Sequence, residues 1–364
     1  MRRPAPRASP APVAGRCGSL RRALRACPAV DSTPKPPFRW RRAAVRLGVS
    51  AALLAVLAWA LDERALAATL GAFWRDSPLQ WLAAVGLFLA LHALGALKWR
   101  FFLGLAGARL SVRQAVRFYA AGLFANLCLP SLIGGDVLRA GLAVTAVESK
   151  EAVVLGSVVD RLADLAALGL LVAGAALFAP GAVGVLEGSS IRGPRLVLVF
   201  FLVLVAGAAA LLTAVRLLAR ARPGGRLAKH VRSLRAGLQA LRANPGSAAL
   251  GLAICLALQA GFVGTVALLG QAMGFALDLR LWFLLWPLAK IAALLPVSLG
   301  GLGVRETAFA LLVQPFGADA VQAGAVALIW DTVILAGGLA AGLYWLGARD
   351  PGESLRAAVP EDGA

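Results

Sequence analysis

The chain has 364 residues, 60% of them hydrophobic and 15% charged, and its mean hydropathy is +0.78. That composition belongs to an all-α, polytopic integral membrane bundle and excludes a soluble globular domain of this size. The net charge of +19 would point to nucleic acid in a soluble protein; here the arginines collect in tails and loops, where they set topology.

Residues 1–37 are rich in Arg, Pro, Ala and Ser without hydrophobic periodicity and read as a disordered basic tail. No signal-peptide core precedes the first apolar stretch. Twelve Lys or Arg against one acid before residue 47 predict a cytoplasmic N-terminus. The transmembrane domain is expected over 38–347, with a first half at about 79–218, a second at about 247–347 and a tail at 348–364. The first span is about Ala43–Leu61, followed by an outer loop at 62–77 and a second span at about Leu79–Leu97. Lys98 and the arginines after it return the chain to the inside.

Phe118–Pro130 is apolar but has only 13 residues, where a span needs about 20. A long helix is predicted over 152–178, a loop over 181–195 and a span over Leu196–Leu218. The connection 216–245 holds eight Lys or Arg and no acid. Within it Leu227, Val231, Leu234, Leu238 and Leu241 form one apolar helix face, suited either to the inner leaflet or to the protein's own surface. A span at 247–270, a short piece at 281–295, a second short piece at 306–316 and a last span at 320–347 complete the chain.

The two short pieces before each break lead into the same motif. Residues 129–139 and 295–305 both read L-P-x-x-x-G-G-x-x-x-R, so Pro130, Gly134, Gly135 and Arg139 match Pro296, Gly300, Gly301 and Arg305. Proline ends a helix and paired glycines permit a reversal. Interrupted helices at corresponding places in two halves point to a binding site between repeats. Charge placement makes both copies re-entrant hairpins, one from each face, in an inverted repeat. Irregular backbone at that depth must line a protein-enclosed or wet cavity. The half-helix beginning after each turn, with an arginine one turn in, is a seat for phosphate or carboxylate. Close helix packing by the glycines and snorkelling arginines explain the same residues without a ligand.

Ionisable groups inside apolar runs add candidates. Asp160, Arg161 and Asp164 lie in 152–178, with Asp160 and Asp164 on one face; Lys290 and Asp331 are their counterparts in the second half. They can pair with Arg139, meet a headgroup amine or carry a proton, or simply pair between helices. Asn126 shares a helix face with Tyr119, and Glu306 follows Arg305. Cys17, Cys27, Cys128 and Cys255 show no C-x-x-C spacing, and His92 and His230 are the only histidines, so no metal or other cofactor is expected. No phosphate-binding G-x-x-x-x-G-K-[ST] loop and no G-x-S-x-G motif occur. No catalytic residue is assigned.

The run Tyr119-x-x-Gly122-x-x-x-Asn126-x-x-x-Pro130, then Gly134-Gly135-Asp136-x-x-Arg139, then Ser157-x-x-Asp160-Arg161, resembles the transmembrane region of lysylphosphatidylglycerol synthases. So does Pro296-x-Ser298-x-Gly300-Gly301-x-Gly303-x-Arg305-Glu306. The resemblance covers about residues 40–347. It implies a flippase-like domain that moves polar lipids between leaflets, with cavity residues at Asn126, Asp136, Arg139, Asp160, Arg161, Arg305 and Glu306. The full synthase carries a soluble aminoacyltransferase domain at its C-terminus; this chain ends at Ala364, so synthesis of an aminoacyl lipid is not expected of it. The expectation is a lipid translocase of a bacterial inner membrane, acting on anionic phospholipid or lipid-linked phosphate. Its headgroup site comprises those residues together with Tyr119, Gly134, Gly135, Lys290, Ser298, Gly300, Gly301 and Asp331. A homodimer or a lipid-modifying enzyme is a candidate partner, and nucleic acid is not. The rival readings are a membrane enzyme or an accessory subunit of lipid or lipid-linked sugar modification.

Overall fold

The computed structural model describes residues 48–49, 51–52, 55, 61–128, 134–188, 213, 239, 243–294 and 301–348. All of them belong to one compact unit, residues 42–364. The expected tail 1–37, most of the first span, the span at 196–218, most of the basic connection 216–245 and both turn segments of the repeated motif lie outside the described residues. So do Ser298 and Gly300.

Helix α1 (Glu63–Asp76) occupies what the sequence reading takes as an outer loop. Its start is set by Asp62, whose carboxylate accepts from the backbone N–H of Arg64 and Ala65. Leu66 and Phe73 give it one buried face. A short amphipathic helix with charged ends looks like a polar loop when only its charges are counted.

Among the described residues four helices are long and apolar enough to cross a membrane: α2 (Pro78–Leu105), α5 (Lys150–Phe178), α7 (Pro245–Ala272) and α10 (Ala320–Gly347). At 28 or 29 residues each they are roughly 42 Å long, more than the roughly 30 Å hydrocarbon layer requires. Proline in the first turn starts α2 and α7, and Asp319 caps α10 by accepting from Val321 N–H. Helix α2 runs two turns past the expected end at residue 97, so Lys98 belongs to the buried bundle and not to an inner loop.

The remaining pieces are short. Helices α3 (Val112–Cys128) and α4 (Gly134–Ala146) flank the first motif, α6 (Pro180–Gly188) follows α5, and α8 (Leu279–Ala292) and α9 (Val304–Val313) flank the second motif. A 3-10 turn at Gln314–Phe316 closes α9. Helix α4 has 13 residues and α9 has 10, too few to cross alone.

Each short pair is an antiparallel hairpin. Gly135 N–H donates to Asn126 Oδ1 at 2.9 Å, and a Cβ on Gly122 would lie 3.3 Å from Arg139 Cβ. Residue numbers rise along α3 as they fall along α4. In the second pair the Trp286 and Phe309 rings sit 5.1 Å apart, and a Cβ on Gly301 would lie 2.8 Å from Ala293 Cβ. The glycines act differently in the two copies. Gly135 is helical, and a side chain there would strike the Gly122 carbonyl and the Asn126 amide. Gly301 has φ +85°, a left-handed turn conformation that disfavours any side chain.

Helix α2 packs on α5, α7 and α10, α10 packs on α3 and α9, and α8 packs on α5. Both hairpins are thereby clamped against the long helices. Because helices α3 and α4 meet across glycine, Gly135→Ala is expected to destabilise the protein by about 1–3 kcal/mol. Gly141→Ala, on the same helix with open space around it, is expected to be neutral or slightly stabilising. Thermal unfolding in detergent measures both.

Candidate functional site

Arg139 stands one turn into α4, only 3% exposed. Its guanidinium donates from Nη2 to Asp160 Oδ2 on α5 at 2.9 Å, and its Nε lies 3.3 Å from Asp136 Oδ1. Trp99 and Tyr119 flank the guanidinium, with ring centroids 4.9 and 4.8 Å away. Trp99 is itself anchored by its indole N–H, which donates to Ser157 Oγ at 3.1 Å.

Lys98 completes the group. Its ammonium lies 3.0 Å from Asp160 Oδ1 and also donates to Asp164. Arg161 pairs with Asp136 and reaches Asp164 at 3.9 Å. Three cations and three carboxylates from α2, α4 and α5 therefore form one network with no formal net charge. Burial explains the balance: an isolated ion at this depth is several kcal/mol uphill, and a matched set is not.

The second half repeats the theme with fewer members. Arg305, in the first turn of α9, donates to Glu306 Oε1 at 2.9 Å and pairs with Asp331 on α10. The Trp286 ring lies 5.6 Å from its guanidinium, as Tyr119 does for Arg139. Glu306 is fully buried and accepts from Gly303 N–H, closing the start of α9. Asp331 Oδ2 is a buried oxygen without a hydrogen-bond partner among the described residues. The helix starts are thus less open than the sequence reading expects: Asn126 takes the Gly135 N–H and Glu306 takes the Gly303 N–H.

Two adjoining cavities face these networks. One, of about 190 Å³, is lined by Lys98, Tyr119, Asn126, Asp136, Arg139 and Arg161, among others. The other, of about 300 Å³, is lined by Trp286, Arg305, Trp330 and Ile334, among others. They share His92, Leu123, Asn126, Phe262 and Lys290 as a common wall. Lys290 differs from the other cations. Its ammonium donates to the neutral Gln259 at 2.7 Å, sits 5.5 Å from the Phe262 ring centre, and forms no ion pair among the described residues. Among the described residues no three His, Cys, Asp or Glu side chains are placed to hold one metal ion.

Of the residues singled out from sequence, Tyr119, Asn126, Gly135, Asp136, Arg139, Asp160 and Arg161 come together in the first network. Arg305, Glu306 and Asp331 come together in the second, with Gly301 at its turn, and Lys290 stands between. Gly134 opens α4 beside Gly135. Lys98, His92 and Gln259 were missed. Gln259 carried a legible signal, a polar amide within the apolar run of α7, and Lys98 carried a weaker one, directly after the apolar stretch 79–97.

Long apolar helices enclosing matched ions and a divided polar cavity define an integral membrane protein with an internal polar site. The chain belongs to the lysylphosphatidylglycerol synthase TM region family, which it matches over residues 43–342. No curated protein and no solved structure matches it.

The matching of charges makes a sharp stability prediction. Arg139→Met leaves three carboxylates facing two cations and should destabilise by about 3–5 kcal/mol. Adding Asp160→Leu leaves the Lys98–Asp164 and Arg161–Asp136 pairs intact and restores balance. The double variant is expected to recover at least half of the loss in detergent unfolding midpoint.

Proposed function

We propose that this protein is a flippase for polar lipids, carrying an anionic headgroup between leaflets through the two adjoining cavities. The observation that carries the reading is Lys290. It is a half-buried cation with a neutral partner, placed in the wall common to both cavities. A phosphate moving from one cavity to the other passes that ammonium, while the neighbouring arginines are already held by carboxylates. Membership of the family supports a role with polar lipids. The lipid is an anionic phospholipid or a lipid-linked phosphate, and the setting is a bacterial inner membrane with the N-terminus in the cytoplasm.

In this reading the hairpins are re-entrant, one opening to each side, and the halves form an inverted repeat. Support comes from their parallel construction: short antiparallel helices, a motif arginine, an aromatic ring on it, and an acid on the next long helix. Helices of 13 and 10 residues also suit a segment that turns back within the membrane.

Reconstituted protein should translocate fluorescent phosphatidylglycerol, and Lys290→Gln should slow it at least tenfold without lowering the unfolding midpoint. Undiminished translocation by Lys290→Gln would remove the reading. For the topology, single thiols are placed in a cysteine-free background at Val112 and Glu148, which bracket the first hairpin, and at Leu279 and Gly317, which bracket the second. Impermeant maleimide should reach the first two only from the cytoplasmic side and the second two only from outside. Labelling of Val112→Cys and Glu148→Cys from opposite sides would contradict re-entrance.

A further inference from the structure

A third cavity, of about 180 Å³, lies between α2, α3 and α10. Its walls include Leu89, Ala93, Val116, Ala120, Ala340 and Tyr344, so it is nearly all hydrocarbon. Ala93 and Tyr344 are exposed, and the surface around them continues in exposed leucines, Leu94 and Leu97 on α2 and Leu343 on α10. In a membrane that surface meets acyl chains.

The inner end of this groove is different. His92, Tyr119 and Leu123 line both the groove and the charged cavity beside Arg139. His92 and Leu123 also line the cavity beside Arg305. Tyr119 forms the partition: its ring lies 4.8 Å from the Arg139 guanidinium, and its hydroxyl fits against Gly95, where a Cβ would come within 2.8 Å. One path therefore runs from lipid-facing leucines, past Tyr119 and His92, to five cations, of which Lys290 alone lacks a carboxylate among the described residues.

An occupant of that whole path is apolar at one end and anionic at the other. We propose that the α2–α3–α10 groove seats an acyl chain of the lipid whose headgroup enters the charged cavity. The proposal rests on the flippase reading and deepens it: the substrate is recognised as a tailed molecule, not as a free phosphate. The physical reason is continuity of surroundings. A chain leaving the bilayer for a groove of Leu, Val and Ala changes its environment little, so it can follow its headgroup inward. The polar group alone needs new partners, and the cavity wall provides them.

The test compares two ligands on the full chain in detergent. One is dioctanoylphosphatidylglycerol, and the other is glycerol phosphate, which has the anion without tails. Ala340→Trp fills the groove from α10, and Ala93→Phe narrows it from α2. Both are expected to weaken lipid binding at least tenfold and to leave glycerol phosphate affinity within twofold of wild type. Leu343→Trp, on the exposed face of α10, should change neither. Unchanged lipid affinity in both groove variants would overturn the proposal, as would equal loss of both ligands in both. Wild-type protein that binds neither ligand would instead remove the flippase reading, and the groove's role with it.

Discussion

A guanidinium inside apolar helices must be matched by a carboxylate, and the architecture is arranged around doing that twice. Arg139 and Arg305 are each carried by a short helix that begins within the repeated motif. Each then meets an acid on the next long helix, Asp160 or Asp331. The ion pair fixes the angle of the short helix against the long one. An unmatched charge there would outweigh most of what a single packing contact contributes. The hairpins are therefore held by electrostatics at their inner ends and by aromatic and aliphatic packing along their length.

The same motif serves two local purposes. In the first copy glycine allows two helices to approach until backbone meets backbone, and the Asn126 amide occupies the exposed helix start. In the second copy glycine provides a left-handed turn, and Glu306 closes the helix from within. The two copies converge on one outcome, a cation flanked by an aromatic ring at the edge of a polar cavity. They diverge in charge. The first network is balanced at three against three, while Arg305 faces two carboxylates and Lys290 stands nearby with a neutral amide.

That asymmetry organises the interior. Charges satisfied by one another leave little field for any further ion. The one ammonium with a neutral partner among the described residues lies where both cavities meet. The apolar groove reaching the same junction at His92 and Leu123 brings lipid-like surroundings to that point.

Composition and hydropathy alone determined the class of this protein, because the long, mostly apolar stretches at 79–97, 152–178, 247–270 and 320–347 admit few other fates than membrane helices. The repeated motif made both helix breaks and both arginines legible, and the acids in apolar runs announced themselves by the cost of burying them. Loop 62–77 was misread because charge was weighed without the periodicity that makes it a helix. Lys98 was assigned to an inner loop for the same reason: a cation at the end of an apolar run looks like a boundary until its carboxylates are located. Only the tertiary structure decided which ions pair, which cation keeps a neutral partner, and which cavities share a wall. Those depend on helices brought together from positions up to 251 residues apart, as in the Trp81–Thr332 hydrogen bond, and no local pattern encodes such distances.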